Sequence, residues 1–465
     1  MSQLFGVLAT GTSALLTQQR AINVTGNNIA NVNTPGYSRQ KLNLETNTPV
    51  YTAAGLMSFG VNSTGIERVY DRFLGVQLNN ENAVLGRWEA QQGMLDRVEV
   101  VFDESDGYGL NQAMSDFWNA WQDLSLNPSG TTERSMVAAT SQGLADAIRE
   151  KYAELEQIQE DIDTALQSGV ETVNRMVAQI ADLNQKIASM ESGGTRANDY
   201  RDSRDLVLKQ LSEIIDIKSY ENSDGQVVVS VADGRPLVET GTTWQLQTQT
   251  NADGHTDILW PDVNNSPVII TGQITGGKIG GWLQTRDTQI AGYQDQLDAL
   301  ADGLKGQINA VHAAGYGLDG TTGTDLFDDS TSGAADFQVN SDILSNLDLI
   351  AASATSGGVP GNADNVMAIY DLRTAMTMSA GTATFDTAVN TLVSSVGYDV
   401  QTATANSSHQ AEMMTYLENY RESVSGVSLD EEMVNLVKFE AAYNAAAKMI
   451  SMTDDMLNML MSVVG

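Results

Sequence analysis

Apolar residues recur every seven positions at both ends of the chain. Strict seven-residue spacing places them in a narrow stripe along one side of a helix, as in coiled coils. Such a stripe cannot be buried by one helix alone, so the pattern predicts that the two terminal helices pack on each other. The alternative, that each packs on its neighbouring domain, stays open. The N-terminal seam is Leu8, Leu15, Ile22 and Ile29, and the C-terminal seam is Leu436, Phe439, Tyr443, Ile450, Leu457 and Leu460.

The first helix is predicted to end near residue 32, within the stretch "NNIANVNTPGYSRQ" of residues 27–40. Thr34 precedes Pro35, and the proline ring disfavours the helical conformation for the residue before it. Pro35 and Gly36 then favour a type II turn, because its third position requires a positive φ that glycine adopts easily.

Between the ends, apolar residues keep helical spacing over long segments, which predicts a helical bundle from residues 61–218 and 276–424. Residues 315–362 are rich in Gly, Asp and Ser and are predicted to form loops. Residues 219–275 contain short β-rich runs, two of them joined by Asp233-Gly234, a hairpin signal. The predicted fold is therefore mainly α with a β-rich insertion: terminal helices that pair as a coiled coil (1–60 and 425–465), a long helical bundle, and a small outer β domain.

The amino-acid composition argues against several classes of function. The 465 residues carry a net charge of −34, which disfavours binding to nucleic acid and to anionic lipid. The chain has no cysteine and three histidines, so disulfides, thiolate catalysis and Cys-bearing zinc sites are excluded. No apolar run is long enough to span a membrane, so membrane insertion is not expected. The first 20 residues do not resemble a cleavable secretory signal, and we expect either a cytoplasmic protein or export by another route.

Charge is also distributed unevenly between the ends. Residues 1–44 carry Arg20, Arg39 and Lys41 without an acidic residue, for a net charge of +3. Residues 429–465 carry two basic and six acidic residues, for a net charge of −4. Opposite charge on the two terminal segments favours their association.

Two segments have the glycine spacing of phosphate-binding motifs, but each lacks a feature that phosphate binding requires. Residues 272–278 have the spacing of a phosphate-binding loop, but Ile279 stands where a Ser or Thr would hold Mg²⁺. Residues 315–320 match G-x-G-x-x-G but follow a helix, so the geometry that binds a dinucleotide is absent.

Other candidate chemistry is equally weak. His312 lies at a predicted helix end and is best interpreted as bonded to the backbone. Four aspartates in one loop do not have calcium-loop spacing and are interpreted as a solvated acidic loop; they are Asp319, Asp325, Asp328 and Asp329. No catalytic residue, cofactor or metal site is predicted, and the chain is not expected to be an enzyme.

Three segments carry a resemblance to a known family. "NNIANVNTPGYSRQ" resembles the N-terminal motif of axial proteins of the bacterial flagellum, and its ending "GYSRQ" resembles the first hook-associated protein (FlgK) family. Residues 425–460 resemble the C-terminus of that family, and residues 276–320 resemble its central region. The resemblance implies terminal helices that line a tube, a helical middle domain and a β-rich outer domain.

The resemblance also implies partners and a location. Members are exported without a cleaved signal through the flagellar type III apparatus and act outside the cell. They self-associate in a ring on the end of the hook protein, and the ring joins the second junction protein (FlgL) and the filament. Before export, a chaperone (FlgN) binds the C-terminal helix, which assigns the C-terminal seam residues to chaperone binding as well.

In that role, the asparagines would offer hydrogen-bonding groups without charge to neighbouring subunits. We expect Tyr37 to pack against the terminal helices, and Arg39 or Lys41 to face an acidic neighbour. The alternative, that residues 27–33 only cap a helix, stays open. The predicted assembly motif is Asn27, Asn28, Asn31, Thr34, Pro35, Gly36 and Tyr37.

Three other functions remain as alternatives. The chain could be another axial protein, such as the hook protein or a distal rod protein. It could be a surface adhesin or antigen. An enzyme could also lie in the β-rich insertion, but one histidine and no metal-ligand cluster there leave little room for an active site.

Overall fold

The computed structural model describes residues 2–52, 55–103, 109–231, 233–261 and 266–464. Helices dominate the described chain, as the periodicity predicts. The helices are α1 (Ser2–Ala30), α2 (Arg72–Val101), α3 (Leu110–Leu126), α4 (Thr131–Glu191), α5 (Asn198–Ile214), α6 (Gly277–Gln284), α7 (Ala291–His312), α8 (Ser341–Ser345), α9 (Asp364–Asp371), α10 (Phe385–Ser425) and α11 (Leu429–Val464). The strands are β1 (Gln40–Thr46), β2 (Val50–Thr52), β3 (Gly55–Met57), β4 (Val61–Arg68), β5 (Ile217–Glu221), β6 (Val227–Val231), β7 (Arg235–Glu239), β8 (Thr242–Thr243), β9 (Gln247–Thr250), β10 (Thr256–Trp260) and β11 (Val268–Ile269).

The main hydrophobic core lies in the helical bundle. Its centre is aromatic: Phe117, Trp118 and Trp121 of α3 are fully buried and pack edge to face. The 61-residue helix α4 runs through the bundle and buries an apolar side chain at almost every turn. Burial of this extent stabilises a domain without help from a partner.

The β-rich insertion has two small antiparallel sheets, with strand orders β5-β6-β7-β8 and β9-β10-β11. The predicted hairpin is confirmed, because β6 pairs with β7 and Gly234 has φ +88° in the turn. Asn184 of α4 attaches the first sheet to the bundle: its side-chain amide donates to Val227 O (2.8 Å) and accepts from Val227 N (3.0 Å). The insertion is therefore joined to the bundle through α4.

The two terminal helices lie side by side and antiparallel. Gly11 of α1 lies against Ala446 and Ile450 of α11, while Asn28 near the end of α1 bonds to Glu432 near the start of α11. The prediction that the terminal helices pack on each other is confirmed. Helix α1 ends at Ala30, close to the limit that Pro35 imposes on it.

Four strands between α1 and α2 were missed by the sequence analysis, which assigned residues 1–60 to a helical terminal domain. Strand β1 pairs with β4, and β2 pairs with β3. These strands hold few buried side chains. The alternating run "KLNLE" of residues 41–45 in β1 was not recognised as a strand signal. They pack along α1, where Val61 N donates to Ser13 Oγ (3.3 Å).

Candidate functional site

Asn28 is the centre of a hydrogen-bond network that joins the first helix to the last. The side chain is 1% exposed. Its Nδ2 donates to Gln40 O (2.9 Å) and to Glu432 Oε2 (3.0 Å). Its Oδ1 accepts from Tyr37 OH (2.9 Å) and from Gln40 N (2.9 Å). All donors and acceptors of this side chain are used inside the chain.

The expectation that all three asparagines face neighbouring subunits is therefore wrong for Asn28. Asn31 also bonds locally, since its Nδ2 donates to Asn27 O (3.0 Å) and its Oδ1 accepts from Thr34 Oγ1 (3.1 Å). Helix-end capping describes Asn31 well. Asn27 is exposed, so its side chain is available to another molecule.

The turn after the motif brings Tyr37 back onto Asn28. Tyr37 N donates to Thr34 O (3.2 Å), and Gly36 has φ +81°, the value expected at the third position of a type II turn. Burial raises the pKa of Tyr37 far above its ordinary value, and the charges of Asp199, Asp202 and Glu432 raise it further. The phenol therefore stays protonated, and its O–H donates a hydrogen bond to Asn28 Oδ1.

The residues after Tyr37 connect the terminal helices to the bundle. Ser38 N donates to Asp202 Oδ2 of α5 (2.9 Å), and Gln40 Nε2 donates to Asp199 Oδ1 (2.8 Å). Arg68 at the end of β4 forms ion pairs with Asp202 (2.9 Å) and Asp205 (2.7 Å). We call this group the junction network: Asn28, Tyr37, Ser38, Arg39, Gln40, Arg68, Asp199, Asp202, Asp205 and Glu432.

Arg39 faces acidic residues of its own chain. It forms ion pairs with Glu431 (2.8 Å) and Glu432 (3.1 Å) at the start of α11, and its backbone N donates to Ser425 O (2.9 Å). Lys41 is exposed. The opposite charges of the terminal segments thus meet at one end of the helix pair, where they fix its register.

Sequence analysis missed most of the junction network. Glu432, Asp202 and Arg68 lie far along the chain from Asn28, and no local pattern identifies them as its partners. The run of asparagines was the available signal, because an amide that both donates and accepts can serve several backbone and side-chain groups at once.

The structure places the predicted seam residues between the helices but does not bury them fully. All four residues of the N-terminal seam are half-buried, and so are Leu436, Phe439, Tyr443, Ile450 and Leu457. Leu460 is 44% exposed. Several of the buried residues along the helix pair are small: Gly11, Thr17, Ala21, Ala446 and Thr453. Small residues allow the two backbones to approach closely.

The outward face of α11 exposes many apolar side chains, in two groups at residues 433–437 and 449–461. Exposed apolar surface of this kind is typical of an interaction site. Methionine predominates, and its flexible side chain can pack against differently shaped partners. The exposed residues are Met433, Val434, Val437, Met449, Met452, Met456, Met459, Leu460 and Met461.

The other sequence candidates have structural partners. Lys278 of the rejected phosphate-loop spacing pairs with Glu213 (2.5 Å). His312 is fully buried between Thr324 O (2.7 Å from Nδ1) and Ala351 N (3.0 Å from Nε2), which confirms its backbone bonding. Burial lowers the pKa of His312 to about 4, so the ring is neutral.

The acidic loop of residues 318–330 is used for turns. Asp319 accepts from Thr321 N (2.9 Å), and Asp328 accepts from Ser330 N (3.0 Å). Within the described ranges, no group of three or more His, Cys, Asp or Glu residues is arranged to hold a metal ion. A search of the same residues finds no helix long and apolar enough to cross a membrane.

Comparison with known families matches three segments of the chain. Residues 95–327 match the flagellar hook-associated protein FlgK helical domain. Residues 8–37 match the flagella basal body rod protein model, and residues 419–463 match the flagellar basal body rod FlgEFG protein C-terminal model. The two terminal matches contain Asn28 and Glu432, the residues that join α1 to α11.

Individual relatives align along the whole chain. Flagellar hook-associated protein 1 of Bacillus subtilis is 30% identical, over 100% of this chain and 99% of its own length. Its counterpart in Salmonella typhimurium is 26% identical, over 97% of this chain and 98% of its own. The solved structure of the flagellar hook junction protein FlgK from Burkholderia pseudomallei, at 16% identity, covers 75% of this chain with a TM-score of 0.67 and shares its fold.

Proposed function

The chain belongs to the flagellar hook-associated protein 1 (FlgK) family of structural flagellar proteins, and on that premise we propose that it forms the ring joining the hook to the filament. In this role many copies associate side by side, and the ring contacts the hook protein on one side. On the other side it contacts the second junction protein (FlgL), which carries the filament. Family membership separates the chain from hook and distal rod proteins.

The observation that carries the proposal is the exposed apolar face of the terminal helix pair. The junction network fixes α1, α11 and the bundle in one arrangement, while α11 presents methionines such as Met452 and Met456 to solvent. An acidic chain that keeps such a face exposed is suited to association with other proteins. Ring assembly would cover this face.

The same face supports a role for an export chaperone. Before assembly, an exposed apolar helix is prone to aggregate, and a chaperone (FlgN) bound to residues 436–460 would cover it. Methionines can pack first on a chaperone and later on another copy of the chain. The proposed chaperone contacts also include the seam residues, which a chaperone would reach before α11 packs on α1: Leu436, Phe439, Tyr443, Ile450, Leu457 and Leu460.

The proposed location is outside the cell, at the junction of hook and filament. Export would proceed unfolded through the flagellar type III apparatus without removal of a signal peptide. The lack of cysteine suits this route, because a thiol-free chain forms no stray disulfides in an oxidising environment.

Electron microscopy of a strain that lacks the gene tests the proposal. Cells should carry bare hooks, and flagellin should accumulate in the medium because filaments have no junction on which to grow. Restoring the gene should restore attached filaments. Intact filaments on the deletion strain would refute the junction role and favour the alternative of a surface adhesin or antigen.

A further inference from the structure

The hairpin of β2 and β3 is an apolar projection on an acidic protein. Residues 46–66 contain no charged residue, although the chain as a whole carries a net charge of −34. Tyr51 is 87% exposed, more than almost any other large apolar side chain in the described structure. The other exposed apolar residues of the hairpin are Val50, Leu56 and Met57.

The base of the hairpin is held firmly against α1. Phe59 lies so close to Gly6 that a Cβ at Gly6 would be 2.6 Å from the phenylalanine ring. Asn47 Nδ2 donates to Phe59 O (2.7 Å), which closes the base. The apolar residues are thus presented at a fixed position relative to the terminal helix pair.

The hairpin needs a partner for physical reasons. A two-stranded sheet without a core is marginally stable in water, and its exposed edges favour pairing with another chain. In the described residues, β2 and β3 pair only with each other. An uncharged surface lets two acidic copies approach with less repulsion than an acidic surface would.

A matching surface exists on α11. Four methionines at helical spacing form a stripe on the exposed side of this helix, separate from the buried Ala446 and Thr453. Asp455 is exposed beside this stripe. We name it the methionine stripe: Met449, Met452, Met456 and Met459.

Charge supports contact between the hairpin base and the methionine stripe. Arg20 and Lys41 are exposed on the elements that carry the hairpin, and Arg20 donates to Ser63 of β4. Within the described part of the chain, ion pairs between the two terminal segments are made by Arg39 with Glu431 and Glu432. Arg20 and Lys41 are exposed positive charges that favour the approach of the acidic α11 of another copy.

We infer that the β2–β3 hairpin of one copy docks on the methionine stripe of the next copy. The two surfaces are different parts of the same molecule, so the contact is head to tail and continues from copy to copy, as a ring requires. This inference rests on the proposed function and names the surfaces through which copies of the chain would associate.

Cysteine cross-linking tests the proposed contact. Because the chain has no cysteine of its own, any disulfide must form between introduced cysteines. The test variant carries Tyr51→Cys and Met456→Cys. The control carries Tyr51→Cys and Met433→Cys, since Met433 is also exposed on α11 but lies outside the methionine stripe. Both are expressed in place of the natural chain, and isolated flagella are oxidised and run on non-reducing gels.

The test variant should give a ladder of dimers, trimers and larger species that collapses on reduction, while each single-cysteine variant and the control stay monomeric. Monomers only, dimers without larger species, or an equal ladder from the control would overturn the inference. Filament attachment in the same cells before oxidation tests the proposed function separately. Attached filaments without a ladder would leave the junction role standing and reject this contact.

Discussion

The helical bundle and the terminal helix pair use helices of similar length but bury them very differently. Helix α10 of the bundle has 41 residues and α11 has 36. In the bundle, large side chains such as Trp118 and Trp121 are completely buried. In the terminal pair, large apolar side chains such as Phe439 and Tyr443 are only half-buried, and Met461 remains 74% exposed.

This difference assigns stability to the helical bundle and assembly to the terminal helix pair. The bundle has a core of its own, so it should fold without a partner. The terminal pair is held to the bundle by a few hydrogen bonds and ion pairs and leaves its outer face for another molecule. The predictions below test whether the two regions fail independently, beginning with the largest effect.

Deletion of residues 430–465 should abolish filament attachment completely and leave the bundle folded. The deletion removes α11 and every contact that it makes, but no residue of the main core. Filament counts by electron microscopy, thermal unfolding of the purified chain and chaperone pull-down measure the three effects. We also expect loss of chaperone binding, and retained binding by the truncated chain would show that the chaperone contacts another segment.

Trp118→Ala should reduce the free energy of unfolding of the bundle by about 3–5 kcal/mol, because it leaves a large cavity in a fully buried site. Urea unfolding measures the loss. Leu126→Ala is the matched control, since Leu126 lies in the same helix and is 82% exposed. It should change stability by less than about 0.5 kcal/mol. Equal effects of the two variants would contradict the assignment of the core.

Asn28→Asp should weaken the terminal pair by about 1–3 kcal/mol without changing unfolding of the bundle. The substitution removes the donor to Gln40 O and places a second carboxylate beside Glu432. Fewer attached filaments and smaller swimming zones are the expected readouts. Asn27→Asp is the control, because Asn27 is adjacent and exposed. If Asn27→Asp reduced attachment and Asn28→Asp did not, the junction network would not govern assembly.

Gly36→Ala should have the smallest effect, a loss of about 1–2 kcal/mol, because alanine resists the positive φ of this turn. The added Cβ would also lie 3.2 Å from Leu206 Cβ of α5. Filaments should detach at a lower temperature than in the wild type. Gly26→Ala places its Cβ in open space within α1, and its filaments should be at least as heat-resistant as the wild type.

Periodicity predicted the elements that bury a regular apolar face. The bundle helices, the β6–β7 hairpin and the pairing of α1 with α11 follow from local spacing, since each pattern reflects one buried side. Residues 397–412 of α10 are largely polar, so apolar spacing alone gives little signal of a helix there. That stretch is helical since it packs on α2, where Gln410 donates to Glu81 Oε2 (2.6 Å).

The candidate site was predictable only in part. The motif of residues 27–37 identified the right region, but Asn28 was expected at the surface. Its burial depends on Glu432, which lies 404 residues away in sequence. Strand β1 was missed although residues 41–45 alternate between polar and apolar, and β4 carries few apolar residues. Both are stabilised by pairing with each other and by contact with α1.

Hydrogen exchange of the free and the assembled chain tests most directly whether the bundle is self-sufficient and the terminal pair is completed by partners. In the free chain, amides of α3 and α4 should be strongly protected, while those of α1 and α11 should exchange through local opening. In isolated flagella, α1 and α11 should become as protected as the bundle. Equal protection of all four helices in the free chain would contradict the account.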